Sequence, residues 1–184
     1  RSVVSDGARI ETERLILREP VASDAAVLAA YHARNEARIA RWEVKRSDDV
    51  AAHAAWIAWR RAESAAGRAR SWHGFDRAAP ETLVALVNLD AITHAPERTA
   101  MLAYSVDAEY EGRGYAREAC EAVITHAFGE LALHSLSATY DPANERSGAL
   151  LKRLGFVEVA RTSVIPGFER HMRAQVLAAL ARPA

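Results

Sequence analysis

The sequence has very little cysteine. Cys120 is the only one among 184 residues, which excludes a disulfide scaffold and a cysteine-based zinc site and fits a reducing cytoplasm. It falls in an alanine-rich helical pattern, so we expect a small buried side chain and not a nucleophile. No metal site is expected.

Long apolar runs and an excess of one charge are also lacking. No stretch approaches the roughly 20 apolar residues of a membrane-spanning helix, and no signal-peptide core is visible. Lysine plus arginine equals aspartate plus glutamate at 24 each, so no overall field attracts nucleic acid. We therefore expect a cytoplasmic protein that binds neither membranes nor nucleic acid.

Internal repeats, low-complexity tracts and long linkers are absent as well. A chain of 184 residues without such breaks is long enough for one domain with a sizeable core. We predict a single domain over residues 1–184, in which residues 1–9 form a poorly ordered leader.

Hydrophobic periodicity gives the element order β-α-α-β-β-β-α-β-α-β-β. This order predicts an α+β (α/β three-layer) domain with a mixed, mostly antiparallel sheet of about seven strands and about four helices. Ser23 or Asp24 is expected to cap the first helix and Asn144 the last, and the second helix is expected to start near Ser47–Asp49. Gly67 and Gly155 are expected to end helices. The predicted strands cover about 14–18, 71–76, 83–90, 99–106, 134–140, 156–162 and 168–177, and the helices about 24–35, 48–66, 114–131 and 144–154.

The most informative segment is 104–119. An apolar strand ends at Val106, a loop with Gly112 and Gly114 follows, and a helical pattern begins near Tyr115. Unpaired N–H groups at a helix N-terminus favour an anion, and glycines let the anion approach the main chain. The segment therefore predicts a phosphate or pyrophosphate site, although an ordinary strand-to-helix turn could carry the same glycines.

Two familiar phosphate motifs do not fit this loop. A dinucleotide fingerprint needs a third glycine where Arg117 stands, and a P-loop needs a Gly-Lys-Ser/Thr tripeptide that the sequence lacks. Nucleotide binding is therefore the least favoured interpretation.

Four segments in this order resemble the GNAT acyl-CoA N-acyltransferases, and within them the ribosomal-protein N-terminal acetyltransferases (the RimJ/RimL-like branch). The resemblance extends from Glu11 to about Leu177 and implies the GNAT fold, with splayed central strands. The segments are Thr12–Arg18, the loop at 104–116, the stretch from Asp141 through Asn144 and Ser147 to Phe156, and Arg170–His171.

The resemblance implies acetyl-CoA as co-substrate and gives the loop its ligand, the pyrophosphate of coenzyme A. The pantetheine would enter between the strand that ends near Val106 and the strand that begins near His134, and would pair with the open strand edge. The implied cofactor-binding residues are Val106, Glu111, Gly112, Arg113, Gly114, Tyr115, Ala116, Asn144 and Ser147.

The implied reaction is direct attack of a neutral amine on the acetyl thioester in a ternary complex. The Val106 backbone N–H is the expected donor to the oxyanion. Ser147 is the expected partner of the departing thiolate, or else serves only the cofactor or the first turn of its helix. The acyl-transfer residues implied are therefore Val106 and Ser147.

Three positions depart from the family pattern. Leu151 replaces a tyrosine that protonates the thiolate in many family members and that the RimJ/RimL-like branch often lacks. Met101 replaces a frequent glutamate that is a candidate base, so the general base is left as water or a group on the acceptor side. Asp90 and His94 are candidates there, although surface-loop roles fit both; His134 is expected to be structural, and His171 either orients the substrate or is structural.

The third departure is Glu111, which stands where glutamine, arginine or an aromatic residue is usual. A carboxylate near a pyrophosphate is unfavourable unless it points away. Arg113 and Arg117 could offset its charge, and Arg113 is the better phosphate contact because it lies inside the loop.

The acceptor is left open. A protein N-terminal α-amine asks less of a base than lysine, since the reference pKa values are about 7.7–8.0 and 10.4. A small-molecule amine such as an antibiotic, toxin or metabolite is the alternative, which aromatic walls from Trp42, Trp56 and Trp59 would favour. A non-catalytic CoA-binding sensor is the third interpretation, and the protein could be a monomer or a homodimer.

Overall fold

The computed structural model describes residues 4–5, 9–41, 49–162 and 174–183. The helices are α1 (Ala25–Ile39), α2 (Val50–Ala65), α3 (Tyr115–Gly129) and α4 (Glu145–Arg153). None of these described helices is long and apolar enough to cross a membrane. The strands are β1 (Val4–Ser5), β2 (Arg9–Glu11), β3 (Leu15–Arg18), β4 (Arg70–Asp76), β5 (Leu83–Asp90), β6 (Thr99–Val106), β7 (Ser135–Tyr140), β8 (Val157–Thr162) and β9 (Gln175–Ala181).

All nine strands form one sheet in the order β1-β2-β3-β4-β5-β6-β7-β9-β8. Neighbouring strands run antiparallel except β6 and β7, which run parallel. The predicted α+β class and mostly antiparallel sheet are therefore confirmed. The sheet has two strands more than the seven or so expected. The extra strands are β1 and β2, which have two and three residues and are too short to show an alternating pattern in the sequence.

Helices cover both faces of the sheet. Leu86 of β5 belongs to an apolar cluster with Leu28 of α1 and Ile57 of α2. The next residue, Val87, belongs to a second cluster with α3 and with Leu151 of α4. Successive strand residues point to opposite faces, so α1 and α2 lie on one face and α3 and α4 on the other. This arrangement is the predicted three-layer one.

The sheet opens at its centre. β6 and β7 pair only at Thr99–Ser135, Ala100–Leu136 and Met101–Ser137 within the described residues. Beyond Met101, β6 stays paired with β5 as far as Val106, while β7 pairs with β9 as far as Tyr140. The two strands therefore enclose a wedge, as expected from the family resemblance.

Asp24 does not cap α1 through its side chain, contrary to the prediction. Its carboxylate accepts two hydrogen bonds of 2.7 Å from the Arg18 guanidinium and one of 2.9 Å from the Val21 N–H. Burial acts to raise the pKa of Asp24, but these bonds and the nearby His73 ring hold the pKa well below its usual range. The sequence pattern cannot separate a cap from such an ion pair, since both place an aspartate before the helix.

Most other predicted boundaries are confirmed, although α1 continues to Ile39, beyond the predicted end at about Asn35. The Asp49 carboxylate accepts a hydrogen bond of 2.9 Å from the Ala51 N–H, and the Asn144 side chain accepts one of 3.2 Å from the Ser147 N–H. The prediction ended the last strand too early: β9 continues to Ala181, four residues beyond the predicted end at Leu177. Its alanine-rich end has low β-propensity and is held by pairing with β7 and β8.

Some predictions fall on residues that the structure does not describe. These include the helix start at Ser47 and Asp48, the strand residues 168–173 with Arg170 and His171, and the acceptor-side Trp42. The single domain over residues 1–184 and its leader over 1–9 also stay predictions, although Val4–Ser5 within that leader pairs with β2.

Candidate active site

The loop before α3 has the backbone of an anion site. Gly112 and Gly114 have φ values of +70° and +85°, which favour glycine over residues with a Cβ. Gly114 is the N-cap of α3, and the first helical hydrogen bond runs from the Glu118 N–H to the Gly114 carbonyl at 3.0 Å. The N–H groups of residues 115–117 therefore precede the first intrahelical bond and point toward the loop. A Cβ on Gly112 would meet no atom within 4 Å, so this side of the loop is open to a ligand.

Arg14 binds the loop through its guanidinium group. Its Nη1 donates to the Arg113 carbonyl at 2.8 Å and its Nε to the Glu118 carboxylate at 2.7 Å. Its guanidinium lies 4.1 Å from the centre of the Tyr115 ring. Burial acts to raise the pKa of Glu118, but the bonds from Thr12 and Arg14 lower it, so the carboxylate keeps its charge. The loop is thus tied to the segment before β3.

The two loop arginines differ in position. Arg113 is exposed, with its guanidinium 5.2 Å from the Tyr110 ring centre and 5.5 Å from that of Tyr115. Arg117 instead pairs with Glu121 one turn further along α3, at 2.7 Å. The preference for Arg113 as a phosphate contact stays a prediction, and this arrangement accords with it.

The Glu111 carboxylate lies between two arginine side chains. One oxygen lies 3.1 Å from Nη1 of Arg38 on α1, and the other pairs with Arg146 in the first turn of α4. Both neighbours are cations, so the negative charge is offset before any ligand arrives. The conflict between a carboxylate and a pyrophosphate therefore does not arise in this geometry.

A polar stripe on α1 holds the end of β6, and the sequence interpretation missed it. Tyr31, Arg34, Asn35 and Arg38 follow the i, i+3, i+4, i+7 spacing of one helix face. The Tyr31 hydroxyl lies 2.8 Å from Ser105 Oγ, and the Asn35 side chain accepts a hydrogen bond of 2.8 Å from the Ala108 N–H. The spacing is visible in the sequence, but the partner segment is about 70 residues away and no local pattern names it.

Asp107 is the centre of this contact. It is 1% exposed, and its carboxylate pairs with Arg34 and accepts bonds from Asn35 at 3.2 Å and from the Glu109 N–H at 3.0 Å. Arg34 also donates to the Leu83 carbonyl at 2.8 Å. The turn between β6 and the loop is therefore fixed on several sides.

The backbone of Val106 faces the wedge. Val106 is opposite Ala85 of β5, and the Asp107 N–H donates to the Val84 carbonyl at 2.7 Å. In an antiparallel ladder this bond makes Val106–Ala85 a non-hydrogen-bonded pair, so the N–H and C=O of Val106 point away from β5. The same alternation directs those of Tyr104 into the wedge. These groups form an open strand edge.

Ser147 and Tyr104 meet across the wedge. The Tyr104 hydroxyl lies 2.8 Å from Ser147 Oγ and donates to the Ser147 carbonyl at 3.3 Å. Burial raises the pKa of Tyr104 well above its usual value near 10, so the phenol stays protonated through the neutral range. Tyr140 of β7 also borders α4, because a Cβ on Gly148 would lie 2.8 Å from its ring. Tyr104 was not predicted as a site residue, since a strand tyrosine is usually a packing residue.

These features fit an extended ligand with an anionic group. The open edge of β6 can pair with amides, and the glycine loop with Arg113 can hold phosphate. A comparison with known proteins gives the same assignment. The model of the acetyltransferase (GNAT) domain matches residues 14–157. The chain belongs to the GNAT acetyltransferase family.

Similar proteins cover nearly the whole chain. The [ribosomal protein uS5]-alanine N-acetyltransferase of Escherichia coli K12 is 28% identical over 183 residues, which span 95% of this chain and 91% of that protein. The ribosomal-protein-S5-alanine acetyltransferase from Vibrio fischeri has a TM-score of 0.85 at 26% identity, over 95% of this chain and 96% of that one. Mycobacterium smegmatis RimJ, solved in complex with CoA-disulfide, has a TM-score of 0.80 at 23% identity, over 91% and 81%.

Membership of the family confirms the predicted enzyme class, an N-acetyltransferase, and acetyl-CoA as its co-substrate. It also gives meaning to the two atypical positions. Leu151 is 2% exposed and packs in the core, and Met101 is 38% exposed on β6. Neither side chain can exchange a proton, so a GNAT enzyme with this sequence needs other groups for proton transfer.

The candidate bases from the sequence are not well placed for that task. Asp90 pairs with Arg60, a buried guanidinium that also donates to Ser71 Oγ at 2.6 Å. His94 lies against Gly67 at the end of α2. A Cβ added to Gly67 would lie 3.1 Å from the His94 Nε2. Cys120 is buried and burial raises the pKa of its thiol, which confirms that it is a packing residue.

Proposed function

We propose that this GNAT enzyme acetylates the α-amine of a protein N-terminus, of the ribosomal-protein type. The observation that carries the proposal is that the residue opposite Met101 in the sheet, Asp90, has its carboxylate bound by the buried Arg60. At pH 7.5 about a third of an α-amine is neutral, against about 0.1% of a lysine amine, by their reference pKa values. A site without a strong base therefore favours the α-amine by about 300-fold.

The similarity to a ribosomal-protein-alanine N-acetyltransferase over 95% of the chain supports the same acceptor class. Such an acceptor would place the reaction in the cytoplasm. A small-molecule amine is the alternative that the experiment below separates.

The cofactor residues follow from the loop and the wedge. The N–H groups at 112–116 and the Arg113 side chain would hold the pyrophosphate of acetyl-CoA, with Glu111 turned aside toward Arg38 and Arg146. The open edge at Tyr104 would pair with the pantetheine amides, and the Val106 N–H would face the thioester end of the cofactor. Asn144 and Ser147, at the start of α4, would border the same cleft.

The chain's own groups have two roles in acyl transfer. The Val106 N–H, which faces the wedge, stabilises the oxyanion that forms when the amine attacks the thioester. As the N–C bond forms and the C–S bond breaks, the nitrogen gives its proton to water. The departing thiolate is stabilised by a hydrogen bond from the Ser147 hydroxyl, which Tyr104 orients, and it takes up a proton from water. The neutral fraction of the α-amine takes the place of a strong base.

The test uses peptides with the N-terminal sequences of ribosomal proteins, uS5 included, each with one internal lysine. A matched set carries a blocked N-terminus, and a third set contains small amines. We expect acetylation at the free α-amine, located by mass spectrometry, with kcat/KM at least about 100-fold above that for the internal lysine.

Other outcomes would overturn the proposal in different ways. Thiol release with the small amines alone would show a small-molecule acetyltransferase. Tight coenzyme A binding without thiol release from any amine would show a sensor.

A further inference from the structure

Where β7 leaves β6, the open edge of β6 needs new partners. Tyr104 and Val106 both direct an N–H and a C=O into the wedge, since each is a non-hydrogen-bonded partner in the β5–β6 ladder. Backbone groups enclosed without partners are costly. An extended ligand could use any of the four, so the edge alone does not define where the ligand sits along the strand.

Arg38 already occupies one of these four backbone groups. Its Nη2 donates to the Val106 carbonyl, and its Nη1 lies 3.1 Å from the Glu111 carboxylate. Nη2 also lies 3.4 Å from the Asn35 side-chain oxygen. The Arg38 side chain is 27% exposed, and its Nε is enclosed with no hydrogen-bond partner among the described residues. It bridges the end of the open edge and the anion loop.

We propose that Arg38 is a positioning residue for acetyl transfer. By occupying the Val106 carbonyl, it leaves the Val106 N–H as the last free group of the edge, and so sets the register in which the acyl end of acetyl-CoA lies. The proposal rests on the proposed roles of Val106 and the loop. Arg38 itself touches neither the thioester nor the phosphates in this account.

An arginine beside an anion loop would ordinarily be assigned to phosphate. Both terminal nitrogens of Arg38 are already engaged, one with a carboxylate and one with a main-chain carbonyl. Arg113 is exposed inside the loop and can take that task without losing an ion pair. A planar guanidinium can serve two acceptors at once, which a lysine ammonium does less well.

The experiment observes the thioester directly. Acetyl-CoA labelled with ¹³C at the acetyl carbonyl is bound to the protein without an acceptor, and the carbonyl resonance is compared with that of free acetyl-CoA. Arg38→Gln removes both contacts and Arg38→Lys keeps the charge. Glu111→Gln removes only the loop contact and leaves the bond to Val106. Arg117→Gln is the matched control, since Arg117 pairs with Glu121 on the outer part of α3.

We expect the bound carbonyl resonance to be displaced in the wild type, in Arg117→Gln and in Glu111→Gln. In Arg38→Gln the displacement should fall to less than half, with the Kd for acetyl-CoA within about threefold of wild type and kcat lower by about 100-fold, the scale of a misplacement near 1 Å. Arg38→Lys should recover part of the displacement.

Two results would overturn the proposal. One is an unchanged resonance in Arg38→Gln. The other is a Kd that rises more than tenfold while the resonance of the remaining complex stays displaced, which would make Arg38 a cofactor-binding residue. If the wild type binds acetyl-CoA without any displacement, the Val106 assignment fails and Arg38 loses its role with it. If the wild type does not bind acetyl-CoA, the proposed function itself fails.

Should Arg38→Gln not fold, the comparison of Arg38→Lys with Glu111→Gln carries the test. The proposal requires a smaller displacement in Arg38→Lys than in Glu111→Gln. The opposite order would contradict it.

Discussion

The hydroxyl of Tyr104 lies 2.8 Å from Ser147 Oγ, across the gap where β6 and β7 have separated. This contact joins the strand that carries the open edge to the first turn of α4. It gives the enzyme two hydroxyl groups on the side of the cleft opposite α1. Leu151, where related enzymes often have tyrosine, is packed in the core and cannot take this part.

Tyr104→Phe and Ser147→Ala should each lower kcat by about 10- to 100-fold while the KM for acetyl-CoA changes less than threefold. The two hydroxyls are hydrogen-bonded to each other and serve the same thiolate, so the double variant should be little worse than either single variant. Steady-state kinetics with the best peptide acceptor measures both parameters. Additive losses, or losses confined to KM, would contradict a shared role.

Gly114→Asp should lower coenzyme A affinity by about 100-fold or more, because it places a side chain and a negative charge in the anion loop. Its Cβ would also come within 3.3 Å of the Arg14 guanidinium, which would be drawn from Arg113 and Glu118. Calorimetric titration with coenzyme A measures the affinity. Gly67→Asp is the control, since Gly67 has a similar φ of +71° but lies after α2. Equal affinities in the two folded variants would remove the loop assignment.

Asp90→Asn should destabilise the protein by about 1–3 kcal/mol in free energy of unfolding, because the buried Arg60 guanidinium loses its carboxylate. The lower part of this range is expected, since the Asp90 side chain is 39% exposed. Urea unfolding measures the change, and the exposed Glu121→Gln should shift it by less than about 0.5 kcal/mol. A pH–rate profile that changes in Asp90→Asn without a loss of stability would restore Asp90 as a base.

The free energy of unfolding should fall as the pH drops from 7.5 to 5.5, because the side chain of His73 in β4 is buried. It is 1% exposed, and neither ring nitrogen has a hydrogen-bond partner in the described residues, although Nδ1 lies 3.5 Å from Asp24. Burial lowers the pKa of His73, and Asp24 opposes this only in part. The unfolded chain therefore binds a proton first, near pH 6.5, and acid favours unfolding.

Burial lowers the pKa of His126 as well, so both histidines act in the same direction. The urea concentration at the unfolding midpoint should decrease between pH 7.5 and 5.5. Replacement of one of these histidines, as in His73→Leu, should make that decrease about half as large. The low pKa of Asp24 contributes below this range, where its carboxylate protonates. An unchanged midpoint difference in His73→Leu would exclude His73 as a source of the acid sensitivity.

Local signals predicted much of this molecule. Gly112 and Gly114 marked the loop, and Asp49 and Asn144 marked two helix starts, since each acts on backbone within a few residues. The family resemblance then predicted the wedge and the co-substrate.

Partners distant in the chain could not be predicted in this way. Arg38 and Val106 are 68 residues apart, and Tyr104 and Ser147 are 43 apart. Nothing in either local sequence specifies the other. The direction of the Glu111 carboxylate depends on Arg38 and Arg146 together, and therefore on the packing of two helices against the same loop.

Among the described residues of the central strands, β6 and β7 have the shortest pairing, a seam of three residue pairs. The neighbouring β5–β6 and β7–β9 pairings each have six. A ligand that lies in the wedge completes this seam from within and binds only the folded chain, so the melting temperature rises with its concentration. The acetylated product and free coenzyme A leave the seam open again after each turnover. The stability of the folded enzyme is thereby tied to the concentration of the compound that it consumes.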